Sequence, residues 1–152
     1  GIWRGHMSAA LLQNSGLMLY MVDDWRAIEE HANEGYGAEH QPFNKELALK
    51  QTEFAGERRQ VLCMDSIDAA EWIKDASLDF VFIDAGHSYD AVTADIRAWR
   101  TKLKAGAVLG GHDYANPRYV FGGQVKRAVD EAVTLNKWEL DLGLNTTWFV
   151  RI

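Results

Sequence analysis

Uninterrupted apolar runs alternate along this chain with stretches in which apolar residues recur every three or four positions. The first run, Leu17-Met18-Leu19-Tyr20-Met21-Val22, stops abruptly at Asp23-Asp24. Gln60-Val61-Leu62-Cys63-Met64 stops at Asp65, and Asp79-Phe80-Val81-Phe82-Ile83 stops at Asp84. A fourth, Ala107-Val108-Leu109, lies between Gly106 and Gly110-Gly111 and closes on His112-Asp113. Runs that are apolar throughout, rather than alternating, suit strands covered on both faces by helices. Between them the spacing predicts helices over 8–13, 44–54, 67–76, 91–103 and 125–135. The clearest of these places Val92, Ile96, Trp99 and Leu103 on one stripe, with Gly106 following as a stop signal. Residues 137–142 and 147–152 are β-prone and joined by Gly143-Leu144-Asn145, which predicts a hairpin.

Helices and strands that alternate in this way predict one α/β domain over residues 1–152: three layers around a doubly wound, mostly parallel sheet, with a C-terminal antiparallel hairpin. In such sheets ligands bind at the carboxyl ends of the strands, where the acids stand here. The chain opens on Gly1-Ile2-Trp3-Arg4-Gly5, a turn feeding a helix, with no strand before it. A doubly wound sheet needs a central strand there, since deleting it exposes two sheet edges. An apolar strand immediately before Gly1 is therefore expected in the parent polypeptide.

Composition narrows the function. With 152 residues, 47% hydrophobic and 25% charged, the chain suits one globular domain and not a disordered segment. The single cysteine, Cys63, excludes a disulfide framework, and its apolar run predicts a reduced core thiol. No apolar run approaches the ~20 residues that span a bilayer, and no signal peptide is visible, so a cytoplasmic protein with no membrane partner is expected. A net charge of −6 argues against broad nucleic-acid binding.

The chemistry-bearing residues gather at the predicted strand ends. Gly1 and Gly5 would let the backbone approach a ligand closely, or serve only the geometry of a tight turn. Asp23 stands 18 positions after Gly5, the spacing at which a carboxylate accepts both ribose hydroxyls of an adenosine-type ligand; a loop acid or helix cap is the alternative. Ser66-Ile67-Asp68 reads as a helix start with Ser as N-cap. Asp84 with His87 and His112 with Asp113 would meet on one rim if their strands are neighbours, as the intervening helix of crossover length predicts. Carboxylates and imidazoles together suit Mg²⁺ or another divalent cation such as Mn²⁺, Zn²⁺ or Fe²⁺. His87 or His112 is otherwise a general base, and the bland reading is that His112 only packs against its loop. Residues 26–41 are long and polar enough for a lid or for a simple surface excursion. His31 and His40 lack metal-motif spacing. Trp72, Trp99, Trp138 and Trp148 are expected as core anchors.

The segment Asp84-Ala85-Gly86-His87-Ser88-Tyr89, the Gly110-Gly111-His112-Asp113-Tyr114 stretch, the turn Gly1 to Gly5 and Val22-Asp23-Asp24-Trp25 resemble the class I S-adenosylmethionine-dependent methyltransferases. The subgroup in question carries Asp-x-x-His-Ser-Tyr after its fourth strand. The likeness covers nearly the whole chain, is strongest over residues 79–114, and lacks the family's first strand. It implies a Rossmann-like fold and transfer of a methyl group from S-adenosylmethionine to a small-molecule acceptor, most simply at oxygen. It also implies cofactor contacts from Gly1, Gly5, Asp23, Trp25, Asp65, Ser66 and Asp84, with Asp65 near the adenine amine. Asp84, His87, His112 and Asp113 become the catalytic set, and Asp84 and Asp113 the metal ligands of a metal-dependent O-methyltransferase. Tyr114 departs from that pattern, since Asn or Asp commonly follows the second acid. The competing expectations are an NAD(P)-dependent oxidoreductase, which lacks its Gly-x-Gly-x-x-Gly here, a metal-dependent hydrolase, and a truncated, non-catalytic Rossmann-like domain. A homodimer is compatible with all of these.

Overall fold

The computed structural model describes residues 1–27, 33, 35–117 and 122–152. Among the described residues, six strands form two sheets. The chain divides into two compact units, residues 1–66 and 67–152, each with its own sheet. Where one sheet lacking its central member was expected, the described strands hydrogen-bond as a pair and a foursome.

In the first unit, α1 (His6–Leu12) leads to β1 (Leu19–Val22), α2 (Gln41–Gln51), a short 3-10 helix (Glu53–Arg58) and β2 (Arg59–Leu62). β1 and β2 pair in parallel, Leu19 opposite Arg59 and Val22 opposite Leu62. Leu12, Met21 and Ala55 are buried together, with Ile2, Leu19 and Val61 packed around them. One guanidinium closes the end of α1, where Arg58 Nη1 donates to the carbonyls of Leu12, Asn14 and Leu17. α2 starts earlier than the pattern predicted because Pro42 falls in its first turn, where its missing N–H costs nothing.

Two expectations fail at the end of β2. The paired region stops at Leu62, so Cys63 has left the sheet and is exposed, beside Lys45 Nζ at 3.1 Å. It is not a core thiol. The following helix, α3 (Ser66–Trp72), ends sooner than predicted, and Trp72 is 76% exposed instead of anchoring a core.

The second unit continues with β3 (Leu78–Ile83), α4 (Tyr89–Arg100), β4 (Leu103–Gly111), α5 (Gly122–Asn136), β5 (Leu140–Leu142) and β6 (Trp148–Arg151). The sheet order is β3-β4-β6-β5, with β3 and β4 parallel and the terminal hairpin antiparallel. α4 packs on α5, β3 and β4, burying Val92, Ile96 and Trp99 as its stripe required. Val81, Ile83, Leu109, Val125, Val129, Trp148 and Val150 are buried with them. Trp138 is only half-buried and lies outside β5.

Gly106 does not stop a helix. It lies within β4 at φ +81°, in an excursion between the Leu103 and Val108 pairings with β3. Its amide donates to Ile152 and its carbonyl accepts from Arg151. Leu103 is accordingly a buried strand residue and not the last member of the helical stripe. No helix among the described residues is long and apolar enough to cross a membrane.

Candidate functional site

In the first unit the opening turn folds onto the end of β1 through a single carboxylate. Asp23 Oδ2 accepts from the amides of Ile2 and Trp3 at 2.6 and 2.9 Å, and Oδ1 accepts from the amide of Trp25 at 2.7 Å. A carboxylate offers about four acceptor positions, so this one retains about one. It accepts both hydroxyls of a ribose only if a turn amide is released. Trp25 is buried and its indole donates to the Trp3 carbonyl at 3.0 Å, which makes it a strut between turn and strand. Trp3 and Trp25 both hold left-handed backbone, at φ 52° and 47°. Such conformations persist where the surroundings over-determine them, here through Asp23. Trp3 also stacks on Tyr36, with ring centroids 5.6 Å apart, and its indole nitrogen is buried without a hydrogen-bond partner.

Gly5 has a structural reason to be glycine. Its φ is +81°, and an added Cβ would stand 2.8 Å from the Ala48 Cα on α2. Gly1 is exposed at the start of the same turn. Asp65 is exposed three residues beyond β2, 3.4 Å from the Arg26 guanidinium. Ser66 opens α3. The Arg26 side chain chiefly serves Asp24, which accepts from its amide and guanidinium. Burial pushes the Asp24 carboxyl up, but these bonds and the guanidinium charge outweigh it and hold it below the ordinary range. The lid expectation over 26–41 falls partly on residues 28–32 and 34, which, like His31, lie outside the described residues; His40 is paired with Glu39.

In the second unit the parallel pairing of Ile83 with Gly111 sets the two strand ends side by side. Asp84, His87 and Asp113 each place one ligand atom so that all lie within 4.8 Å of one another. His87 Nε2 is 2.8 Å from Asp113 Oδ2 and 3.7 Å from Asp84 Oδ1, and His112 Nδ1 is 3.3 Å from Asp113 Oδ1. The Asp113 side chain is only 8% exposed, against 39% for Asp84. Despite these short separations, His87 Nε2 is buried with no hydrogen bond of acceptable geometry.

Charge explains the electrostatics of this cluster. The nearby Asp84 carboxylate raises the His87 imidazole above its ordinary value, burial opposes this, and the charge of the Asp113 and Asp84 carboxylates outweighs burial. Burial pushes Asp84 up, but the adjacent His87 and the charge of the His112 and His87 imidazoles hold it below the carboxylate range.

The motif residues after Asp84 frame the loop. Ser88 caps α4 by accepting from the Ala91 amide at 3.2 Å, and the Tyr89 hydroxyl donates to Glu131 on α5. Asn116 is a buried neighbour that the sequence reading missed: its amide nitrogen donates to Asp113 Oδ1 at 2.5 Å. A polar amide three residues after an acid in a glycine-rich strand-end turn was the available signal.

Residues 1–114 match the family described as "Methyltransferase domain". Among solved structures, the O-methyltransferase NovP is similar over 99% of this chain and 69% of its own, at 16% identity and a TM-score of 0.68. An O-methyltransferase from Bacillus cereus in complex with S-adenosylhomocysteine aligns over 100% and 71%, at 18% identity and 0.62. The O-methyltransferase TomG from Streptomyces achromogenes, in complex with S-adenosylmethionine, aligns over 100% and 70%, at 15% identity and 0.62. These likenesses establish the fold. No curated protein matches.

Proposed function

The chain belongs to the methyltransferase-domain family, and on that premise we propose that it transfers a methyl group from S-adenosylmethionine to an oxygen of a small-molecule acceptor. The observation that carries the reading is the convergence of Asp84, His87 and Asp113 at adjacent strand ends. The structural neighbours named above, described as O-methyltransferases, support the choice of oxygen.

S-adenosylmethionine supplies an electrophilic methyl group when bound. Two observations fit such a ligand: Asp23 keeps acceptor capacity toward a ribose hydroxyl, and Trp3 has a buried indole N–H without a partner. Within the first unit, Gly1, Gly5, Trp25, Asp65 and Ser66 are the further candidates for holding it.

A divalent cation fits the second cluster for a separate reason. Two carboxylates this close repel unless a proton or cation lies between them, and His87 Nε2 is a buried atom lacking a satisfactory partner. Asp84 and Asp113, with His87, are the donors we assign, and Asn116 holds the Asp113 carboxylate through Oδ1. Such a cation would lower the pKa of an acceptor hydroxyl. The chain's own contribution is to orient that hydroxyl and to receive its proton. His112, whose Nδ1 lies 3.3 Å from Asp113 Oδ1, is the residue we assign to receive it. Displacement at a methyl group is direct, so holding donor and acceptor in line is the remaining task.

Chelation combined with Asp113→Ala tests the assignment. Loss of methyl transfer in both, measured as S-adenosylhomocysteine formed, is expected; transfer that survives both removes the cation and this acid from the reaction.

A further inference from the structure

Two neighbouring acids on α5 each hold a tyrosine from one of the two loops that carry the cluster. The Tyr114 hydroxyl donates to Asp130 Oδ1 at 2.8 Å, and the Tyr89 hydroxyl donates to Glu131 Oε2 at 2.6 Å. One turn earlier on the same helix, the Lys126 ammonium lies 5.4 Å from the Tyr114 ring centroid, and the Arg127 guanidinium lies 4.3 Å from that of Tyr89. The same device thus occurs twice, one residue apart: a cation at one position, an acid four later, and a phenol against both.

The two loops differ in how much they need holding. The turn after β4 keeps Asp113 and Ala115 in left-handed backbone, at φ 60° and 52°. Non-glycine residues stay there only when several contacts fix them. The Tyr114 amide donates to Thr146 at 2.9 Å, and the His112 amide to Ile83 at 3.1 Å. Tyr114 reaches α5 while its neighbour Asp113 reaches His87, so the turn is held at two successive residues. Tyr89 bonds at the exposed surface, and its loop already has the Ser88 cap.

We propose that Tyr114, held by Asp130, is a positioning residue that keeps the Asp113 carboxylate directed into the cation site, and that the Tyr89–Glu131 pair does the same, more weakly, for the His87 loop. The proposal rests on reading the cluster as a cation site. It adds a function for Tyr114, the residue that departs from the family's pattern: it contributes through its hydroxyl to α5 and not as a ligand.

The test is Mn²⁺ affinity of the full chain, read from the free-ion electron paramagnetic resonance signal, with a thermal midpoint recorded for each variant. Tyr114→Phe keeps the ring and removes only the bond; it is expected to weaken Mn²⁺ binding about tenfold, the lower end of losses for partners that orient ligands. Asp130→Leu should match it. Asp130→Asn keeps an acceptor oxygen, and affinity should recover relative to Asp130→Leu. If charge alone mattered, Asp130→Asn would weaken binding as much as Asp130→Leu, and Tyr114→Phe would leave it unchanged; that pattern overturns the proposal. Should Tyr114→Phe fail to fold, the contrast between the two Asp130 variants decides it alone. Wild-type chain that binds no Mn²⁺ overturns the cation reading itself, and the positioning role with it.

Discussion

At Gly5 a single hydrogen in place of a side chain decides whether α1 can begin where it does. The closest atom to an added Cβ is backbone on α2, which cannot swing aside, and the left-handed φ adds its own strain. Gly5→Ala should therefore lower stability by about 1–3 kcal/mol, visible as a reduced denaturation midpoint. Asp24 makes a different prediction. Its carboxyl is held low in the folded chain, so its contribution is present above the unfolded value of roughly pH 4 and disappears as pH falls through the depressed folded value. A carbon-detected titration should find Asp24 below ordinary aspartates, and Arg26→Ala, which keeps the amide bond and removes the guanidinium, should move it only part of the way back. An Asp24 midpoint left unchanged by Arg26→Ala would remove the guanidinium as a cause. At Asp23 the sequence pointed to a ribose acceptor; the carboxylate instead serves the backbone of its own turn first. That use was not legible, because an acid accepting amides from residues twenty positions upstream leaves no local pattern.

At the scale of elements, the strand and helix order was readable because each run is pure in character. The α4 stripe ended at Trp99, and Leu103 began a strand, since i to i+4 spacing continues smoothly across a boundary that only a capping geometry reveals. Gly106 misled for a related reason: glycine marks any left-handed residue, in a strand excursion as readily as after a helix. The N-cap is the element-level feature with the clearest consequence. Ser88→Ala removes the acceptor for the Ala91 amide and should cost about 0.5–2 kcal/mol, checked by thermal or denaturant unfolding. An unchanged midpoint would mean that the tyrosine and acid pairs on α5 hold this loop without the cap. The exposed Trp72 and Cys63 show the limit of residue type as a guide to burial, because a short helix and a strand that stops at Leu62 turn them outward.

For the molecule as a whole, the meeting of Asp84, His87 and Asp113 was legible from strand ends and a crossover-length helix, whereas the α5 acids were not. The roles of these acids depend on side chains meeting across 16 and 42 residues of sequence, and for Tyr114 on a turn whose backbone is unusual. The central claim is that the chain uses S-adenosylmethionine, and isothermal titration addresses it before any acceptor is known. Titrations of wild-type chain with S-adenosylmethionine, S-adenosylhomocysteine and NAD should show saturable binding of the first two and none of the third. Asp23→Ala should weaken that binding at least ~10-fold, since a hydrogen bond to a charged group contributes ~1.5–3 kcal/mol. Binding of NAD instead, or no binding of either adenosyl compound, would contradict the account.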